Sequence, residues 1–365
     1  MGKLTRSPGH TMNRLTAAVL AVGMLAVGVA GCGDDDAPSD TVAATETTAV
    51  TAAETTAVSG SGEVKAVGIL VSRGDESMND VAAAGFDKAK AEFTDATFAE
   101  SASSLDALLD QDIGLIVCTG FWSADCVGVA KANPDTSFVI TDDMSAEPNV
   151  ASLVFAHEQG SYLVGVAAAL TSKNGKIGFI GGVATEQIAQ FEAGFTAGVA
   201  ATRPDATVEV EYVSQPPDFS GFNDPERGKA IAEVMYVSGI DVIFHAAGAT
   251  GAGLFKAAEN SGKAPGEIWA IGDDSDQYLS VAPEDGQEYI LTSMMKRLDV
   301  VIYEAITAYM AGTPLTGESR IDLSSGGVGY ATSNPAIEPI VPQLEAAKAK
   351  MISGNPKARA VQFFL

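Results

Sequence analysis

From Val64 onward, short β-branched runs alternate with stretches whose apolar residues recur at three- and four-residue spacings. This is the pattern of strand–helix crossover units wound around parallel sheets. Strands are predicted at 64–71, 113–118, 137–141, 151–155, 176–180, 207–213, 241–245, 267–271 and 289–293. Helices are predicted at 79–93, 125–132, 158–171, 186–201, 225–238, 251–260 and 300–310. The chain beyond residue 62 is longer than one hydrophobic core usually serves, and it holds more strands than one ordinary doubly wound sheet. Two α/β lobes are therefore expected, with the cleft between them as the binding site.

The N-terminal segment has a different character. Lys3, Arg6 and Arg14 precede an apolar run over 15–30 that is short for a membrane-spanning helix and reads as an export signal. The run ends in Val29-Ala30-Gly31-Cys32, which resembles the bacterial lipobox, where the thiol takes a diacylglycerol before cleavage. A lipoprotein signal peptide is thus expected over 1–31, with Cys32 as the lipidated residue. Residues 33–62 are rich in Thr and Ala and carry acids but no basic or aromatic side chain. Such a composition cannot bury enough apolar surface to offset chain entropy, so 32–62 is expected to be the lipidated Cys and a disordered acidic tether. The expected location is the extracytoplasmic face of a cell membrane, held there through Cys32.

Charge and residue supply exclude several functions. A formal charge of −25 repels phosphate, which argues against nucleic acid as a partner. Only His10, His157 and His245 are available for acid–base work, and His157 lacks a second His at helical spacing for a zinc-protease motif. Neither a Gly-x-Ser-x-Gly elbow nor a P-loop is present; Gly228-Lys229-Ala230 lacks the hydroxyl and the upstream glycine. Gly248-Ala249-Thr250-Gly251-Ala252-Gly253 opens a helix after a strand, but Lys256 stands where a dinucleotide loop needs a small residue. No cofactor, metal site or catalytic residue is expected. Cys118 and Cys126 flank one strand–helix turn, which leaves open a disulfide or two separate buried thiols.

A set of landmarks then occurs in order. Gly74-Asp75-Glu76-Ser77-Met78-Asn79-Asp80, Thr119-Gly120-Phe121, Phe138-Val139-Ile140-Thr141-Asp142 and Gly160-Ser161-Tyr162-Leu163-Val164-Gly165 come first. Gly178-Phe179-Ile180-Gly181-Gly182, the 247–253 glycine segment, Ile271-Gly272-Asp273-Asp274-Ser275-Asp276-Gln277 and Leu291-Thr292-Ser293-Met294-Met295-Lys296-Arg297 follow. With the lipobox and tether, these motifs resemble the basic membrane protein family of substrate-binding lipoproteins, which includes purine nucleoside receptors of ABC importers.

The resemblance implies a type I periplasmic binding protein fold, with two Rossmann-like lobes joined by three crossovers that act as a hinge. By analogy lobe one is 63–155 plus 275–314 and lobe two is 156–274 plus 315–365. It implies a small-molecule ligand, a nucleoside or related metabolite, and ABC permease and ATPase subunits as partners. Asn79 and Asp142 fall where base contacts are expected, and Gly248, Asp274 and Lys296 where ribose contacts are expected. Phe222 falls at one stacking position, while Met78 replaces the usual Phe before the Asn, offering a thioether to the π face. Phe121 lies on a neighbouring loop with Trp122, either compensating for Met78 or plugging the lobe interior, and Asp75 is a turn residue or a peripheral contact. Asp142 and Asp274 alternatively cap the elements that follow their strands. The competing functions are a same-fold receptor for a sugar or signalling molecule feeding a sensor, and a nucleoside hydrolase using cleft carboxylates.

Overall fold

The computed structural model describes residues 65–354. The expected signal peptide, Cys32 and the tether lie outside the described residues. The chain begins with β1 (Ala66–Leu70), α1 (Met78–Glu92), β2 (Thr97–Ser101), the short α2 (Asp106–Leu109), β3 (Leu115–Cys118), α3 (Trp122–Ala130), β4 (Ser137–Thr141) and β5 (Val150–Phe155). It continues through α4 (His157–Thr171), β6 (Lys176–Val183), α5 (Glu186–Thr202), β7 (Thr207–Ser214), α6 (Pro225–Val237), β8 (Val242–Ala246) and α7 (Gly251–Asn260). Then come β9 (Trp269–Gly272), α8 (Gln277–Ser280), β10 (Ile290–Lys296), α9 (Leu298–Met310), β11 (Gly317–Ile321), β12 (Val328–Tyr330) and α10 (Val341–Ile352).

Two six-stranded sheets result, in the orders β11-β5-β4-β3-β1-β2 and β12-β10-β9-β8-β6-β7. The pairs are parallel except β10 with β12. Central strands such as β3 and β8 are buried along their whole length, as parallel strands covered by helices on both faces are. Each sheet changes winding direction beside its first strand, between β1 and β3 and between β6 and β8. Loops leaving the carboxyl ends of strands at such points form the usual ligand crevice of doubly wound folds.

The chain passes between lobes at Phe155–His157, at Lys296–Leu298 and between β11 and β12. The last two crossings differ from the boundaries expected at 274/275 and 314/315. Residues 275–296 are expected in lobe one by analogy; β10 instead pairs with β9, through Ile290 with Ala270 and Ser293 with Gly272, and so extends the second sheet. Residues 317–321 were assigned to lobe two, yet β11 pairs in parallel with β5 along Gly317 to Ile321. Local composition does not specify these partners. β10 is nearly all buried and needs helices on both sides, whereas β11 (Gly-Glu-Ser-Arg-Ile) is an exposed edge strand whose pairing no apolar pattern announces.

Helices α4 and α5 cover one face of the second sheet and meet at glycines: a Cβ on Gly198 would lie 3.0 Å from the Tyr162 carbonyl carbon. Beneath them Phe179, Phe195 and Phe244 pack in tilted and edge-on contacts with ring centroids 5.1–6.2 Å apart.

Candidate functional site

A cavity of about 660 Å³ lies between the lobes, walled by the loops that leave the carboxyl ends of strands in both sheets. The first lobe contributes the segment after β1 with the start of α1, the turn after β3, and Asp142 after β4. The second contributes the start of α5, the loop between β7 and α6, the turn after β8, Asp273 and Asp274 after β9, and Lys296 at the end of β10.

The polar part of the cavity is built around two carboxylates in left-handed backbone conformation, Asp142 at φ +58° and Asp274 at φ +59°. An aspartate tolerates that region better than a branched residue does, and here it turns each chain sharply at its strand end. Lys296 Nζ donates to Asp142 Oδ2 at 2.6 Å and lies 3.9 Å from Asp274 Oδ1. Asp142 also accepts from the Phe155 backbone N–H at 3.1 Å and from Gln187 Nε2 at 3.2 Å, and His157 Nε2 stands 3.2 Å from its Oδ1. A first-lobe carboxylate is thereby gripped by Lys296, Gln187 and His157, all on the second lobe. Burial opposes the charge on Asp142, but Lys296 and His157 outweigh it and hold the carboxyl well below the usual range. Burial likewise opposes the charge on Lys296, and Asp142 with Asp274 more than offsets it, raising that ammonium's pKa.

Asp274 is in a different state. Burial pushes it up to about 7, against the pull of Lys296, and neighbouring Asp273 is pushed up to about 7 by burial as well. Asp274 Oδ1 has no hydrogen-bond partner among the described residues. An acceptor so placed penalises any ligand that cannot supply a donor.

The apolar part is aromatic. Phe121 on the first lobe meets Phe219 and Phe222 on the second, with centroids 5.2 and 5.5 Å apart. Phe222 ends a 3₁₀ turn, Ser220–Phe222, pinned by Thr250 Oγ1 donating to the Gly221 carbonyl at 2.8 Å. Gly182 makes room for the ring: a Cβ there would lie 2.6 Å from Phe222 Cδ1. Met78 folds its terminal methyl over Gly120, whose φ of +55° and missing side chain permit the approach.

Met78, Asn79, Phe121, Asp142, Phe222, Gly248, Asp274 and Lys296 all line this one cavity, and so does Asp75. The Asp75 carboxylate, however, is engaged by the turn entering α1. It accepts from the backbone N–H groups of Ser77, Asn79 and Asp80 at 3.0–3.2 Å and from Asn79 Nδ2 at 2.7 Å. Cys118 and Cys126 are joined in a disulfide with Cα atoms 6.5 Å apart, closing the loop that carries Phe121.

Sequence reasoning did not single out Ser77, His157, Gln187, Phe219 or Asp273 for this site. Phe219 shares the Pro-rich loop of Phe222 and Asp273 adjoins Asp274, so proximity was an available signal. His157 and Gln187 carried none, because only the meeting of α4, α5 and β4 brings them together. Among the described residues no helix is long and apolar enough to cross a membrane, and no group of three or more His, Cys, Asp or Glu could hold a metal ion.

Comparison with known proteins places this geometry in context. Residues 72–361 match the Bmp family, described as ABC transporter substrate-binding protein PnrA-like. A CD4+ T-cell-stimulating antigen of Listeria monocytogenes is 38% identical over 273 residues, covering 72% of this chain and 74% of that protein. An ABC transporter nucleoside-binding protein BmpA of Lactococcus lactis is 35% identical over 259 residues, covering 67% and 71%. The crystal structure of an ABC transporter solute-binding protein from Aeropyrum pernix K1 superposes with a TM-score of 0.64 at 25% identity, covering 82% of this chain and 90% of that one.

Proposed function

The chain belongs to the Bmp family of PnrA-like ABC transporter substrate-binding proteins, and on that premise we propose that its cleft captures a nucleoside, a purine nucleoside in the first instance. The family's role is binding and not catalysis, so the hydrolase alternative falls.

The observation that carries the nucleoside reading is the division of one cavity into an aromatic region, Phe121 with Phe222, and a polar region where Asp274 presents an unpartnered oxygen beside Lys296. A nucleoside has the matching division: a planar base that stacks and a ribose whose hydroxyls donate to a carboxylate. The L. lactis relative carries nucleoside binding in its name, which supports the same choice. With about twenty heavy atoms, micromolar affinity needs roughly 0.4 kcal/mol per atom, within known ligand efficiency.

On this reading the ligand holds the lobes together, the closed form is what a cognate permease and its ATPase accept, and a lipid on Cys32 keeps the receptor at the extracytoplasmic membrane face. Calorimetry on Asp274→Ala and Phe222→Ala tests the site. Each is expected to weaken nucleoside binding at least tenfold with the fold intact, and unchanged affinity in both contradicts the assignment.

A further inference from the structure

Beside the ligand acceptor Asp274 lies a group of polar atoms with one hydrogen too few. Ser77 Oγ, on the first lobe, stands 3.1 Å from Asp273 Oδ1 and 3.3 Å from Asp274 Oδ2. A hydroxyl owns a single hydrogen, so with both acids ionised one of these buried contacts sets lone pair against lone pair.

His245 meets Asp273 from the other side with the same conflict. The Gln277 side-chain nitrogen donates to the Glu76 carbonyl at 3.2 Å, so its oxygen is the acceptor end, and that oxygen takes the Asp273 backbone N–H at 3.0 Å. His245 Nε2 lies 3.0 Å from the same oxygen and so carries a hydrogen. Burial pushes His245 down to about 4, which leaves Nδ1 bare at neutral pH, 3.6 Å from Asp273 Oδ1.

One added hydrogen on Asp273 Oδ1 removes the conflict at Ser77, and by neutralising the acid it weakens the repulsion at His245 Nδ1. Asp273 donates to Ser77 Oγ, and Ser77 donates to Asp274 Oδ2. We propose that Asp273 is a neutral, proton-carrying positioning residue that aims Ser77 at Asp274 and thereby presents Asp274 Oδ1 as the anionic acceptor of the ligand. The second half of this inference rests on the nucleoside reading of the cleft.

The surrounding charges decide which acid keeps the proton. Lys296 of β10 lies 3.9 Å from Asp274 Oδ1, and His157 of α4 also favours the anion there, opposed by Asp142 and by Asp273 itself. Asp273 has the Ser77 hydroxyl, the Gln277 amide and uncharged His245 as its close neighbours. Asp75, on the loop before α1, disfavours a charge on Asp273, and the Ala247 N–H and the more distant Lys296 favour one. Burial raises both acids, and the one hydrogen that the Ser77 contacts lack goes to Asp273 because Lys296 stands beside Asp274.

The sign of the pH dependence follows. Deprotonating Asp273 restores the lone-pair conflict at Ser77, so ligand affinity falls as pH rises through neutrality, by up to tenfold per pH unit for one linked proton. Asp273→Asn, whose amide donates to Ser77 at every pH, removes the slope.

The test uses the full protein in two steps. Infrared difference spectra of ligand-free wild type minus Asp273→Asn are expected to show a protonated-carboxyl C=O band that titrates near neutrality. A missing band overturns the neutral Asp273. Calorimetry with inosine across the same pH range is expected to show the slope in wild type and none in Asp273→Asn. A slope kept by the variant, or absent from wild type, overturns the positioning role. If inosine binds at no pH while the band is present, the neutral acid stands and the nucleoside reading is what fails.

Discussion

Replacing Lys296 by Met leaves Asp142 charged, buried and without its cation. Lys296 is 1% exposed and the Asp142 side chain 3%, so water cannot substitute for the lost ammonium. Deleting one member of a buried pair costs about 3–5 kcal/mol. Asp142 keeps three other neighbours at 3.1–3.2 Å, the Phe155 N–H, Gln187 and His157, so the lower end, about 3 kcal/mol, is expected. Urea denaturation at neutral pH reads the loss as a lower midpoint at constant slope. Adding Asp142→Asn to Lys296→Met removes the stranded charge and is expected to regain at least about 1 kcal/mol. The acid side supplies a second readout. Because the folded-state pKa of Asp142 is depressed, its stabilisation is present above the ordinary carboxylate range and lost as pH falls below it. That acid-side loss is expected to shrink in Lys296→Met. A cost under about 1 kcal/mol, or a double variant no more stable than the single one, refutes the reasoning.

Gly182→Ala places a methyl 2.6 Å from Phe222 Cδ1 and 3.1 Å from the Ala247 Cα, so it is expected to displace the ring, weaken ligand binding several-fold in calorimetry and lower stability by about 1 kcal/mol. Converting Cys118 and Cys126 together to Ala opens a loop with a sequence separation of 8 and is expected to cost about 2.5 kcal/mol in urea denaturation. Gly198→Ala drives a methyl into the α4 backbone, 3.0 Å from the Tyr162 carbonyl carbon, and is expected to lower stability by about 1–3 kcal/mol without selectively affecting the ligand.

What the sequence disclosed follows from where the physical signal lies. Central strands such as β3 and β8 are covered on both faces and therefore appear as mostly apolar runs, interrupted in β8 only by His245. The edge strands β2 and β11 are largely polar and exposed, and β12 spans only Val328–Tyr330, so nothing local marked them; their pairing partners are remote in sequence. The same remoteness misled the lobe boundary, since β10 and β11 change partners according to sheet edges and not to local composition. In the site, motif residues such as Asp142, Asp274 and Lys296 were legible because they stand at strand ends within recognisable segments. Their partners were not: Ser77 reaches Asp273 across 196 residues, and Gln187 reaches Asp142 across 45. Asp75, expected as a turn residue or a peripheral contact, holds the first turn of α1 with its carboxylate and also lines the cavity.

The central claim, a nucleoside held between the aromatic and carboxylate ends of one cleft, is tested most directly by calorimetric titration of the protein with inosine, guanosine, adenosine, cytidine, hypoxanthine and ribose. Saturable binding of a purine nucleoside at about micromolar Kd or tighter is expected, with the free base and free ribose each at least about tenfold weaker, because either alone leaves one end of the cleft unfilled. Silence from every nucleoside, or binding of ribose as tight as that of the nucleoside, contradicts it.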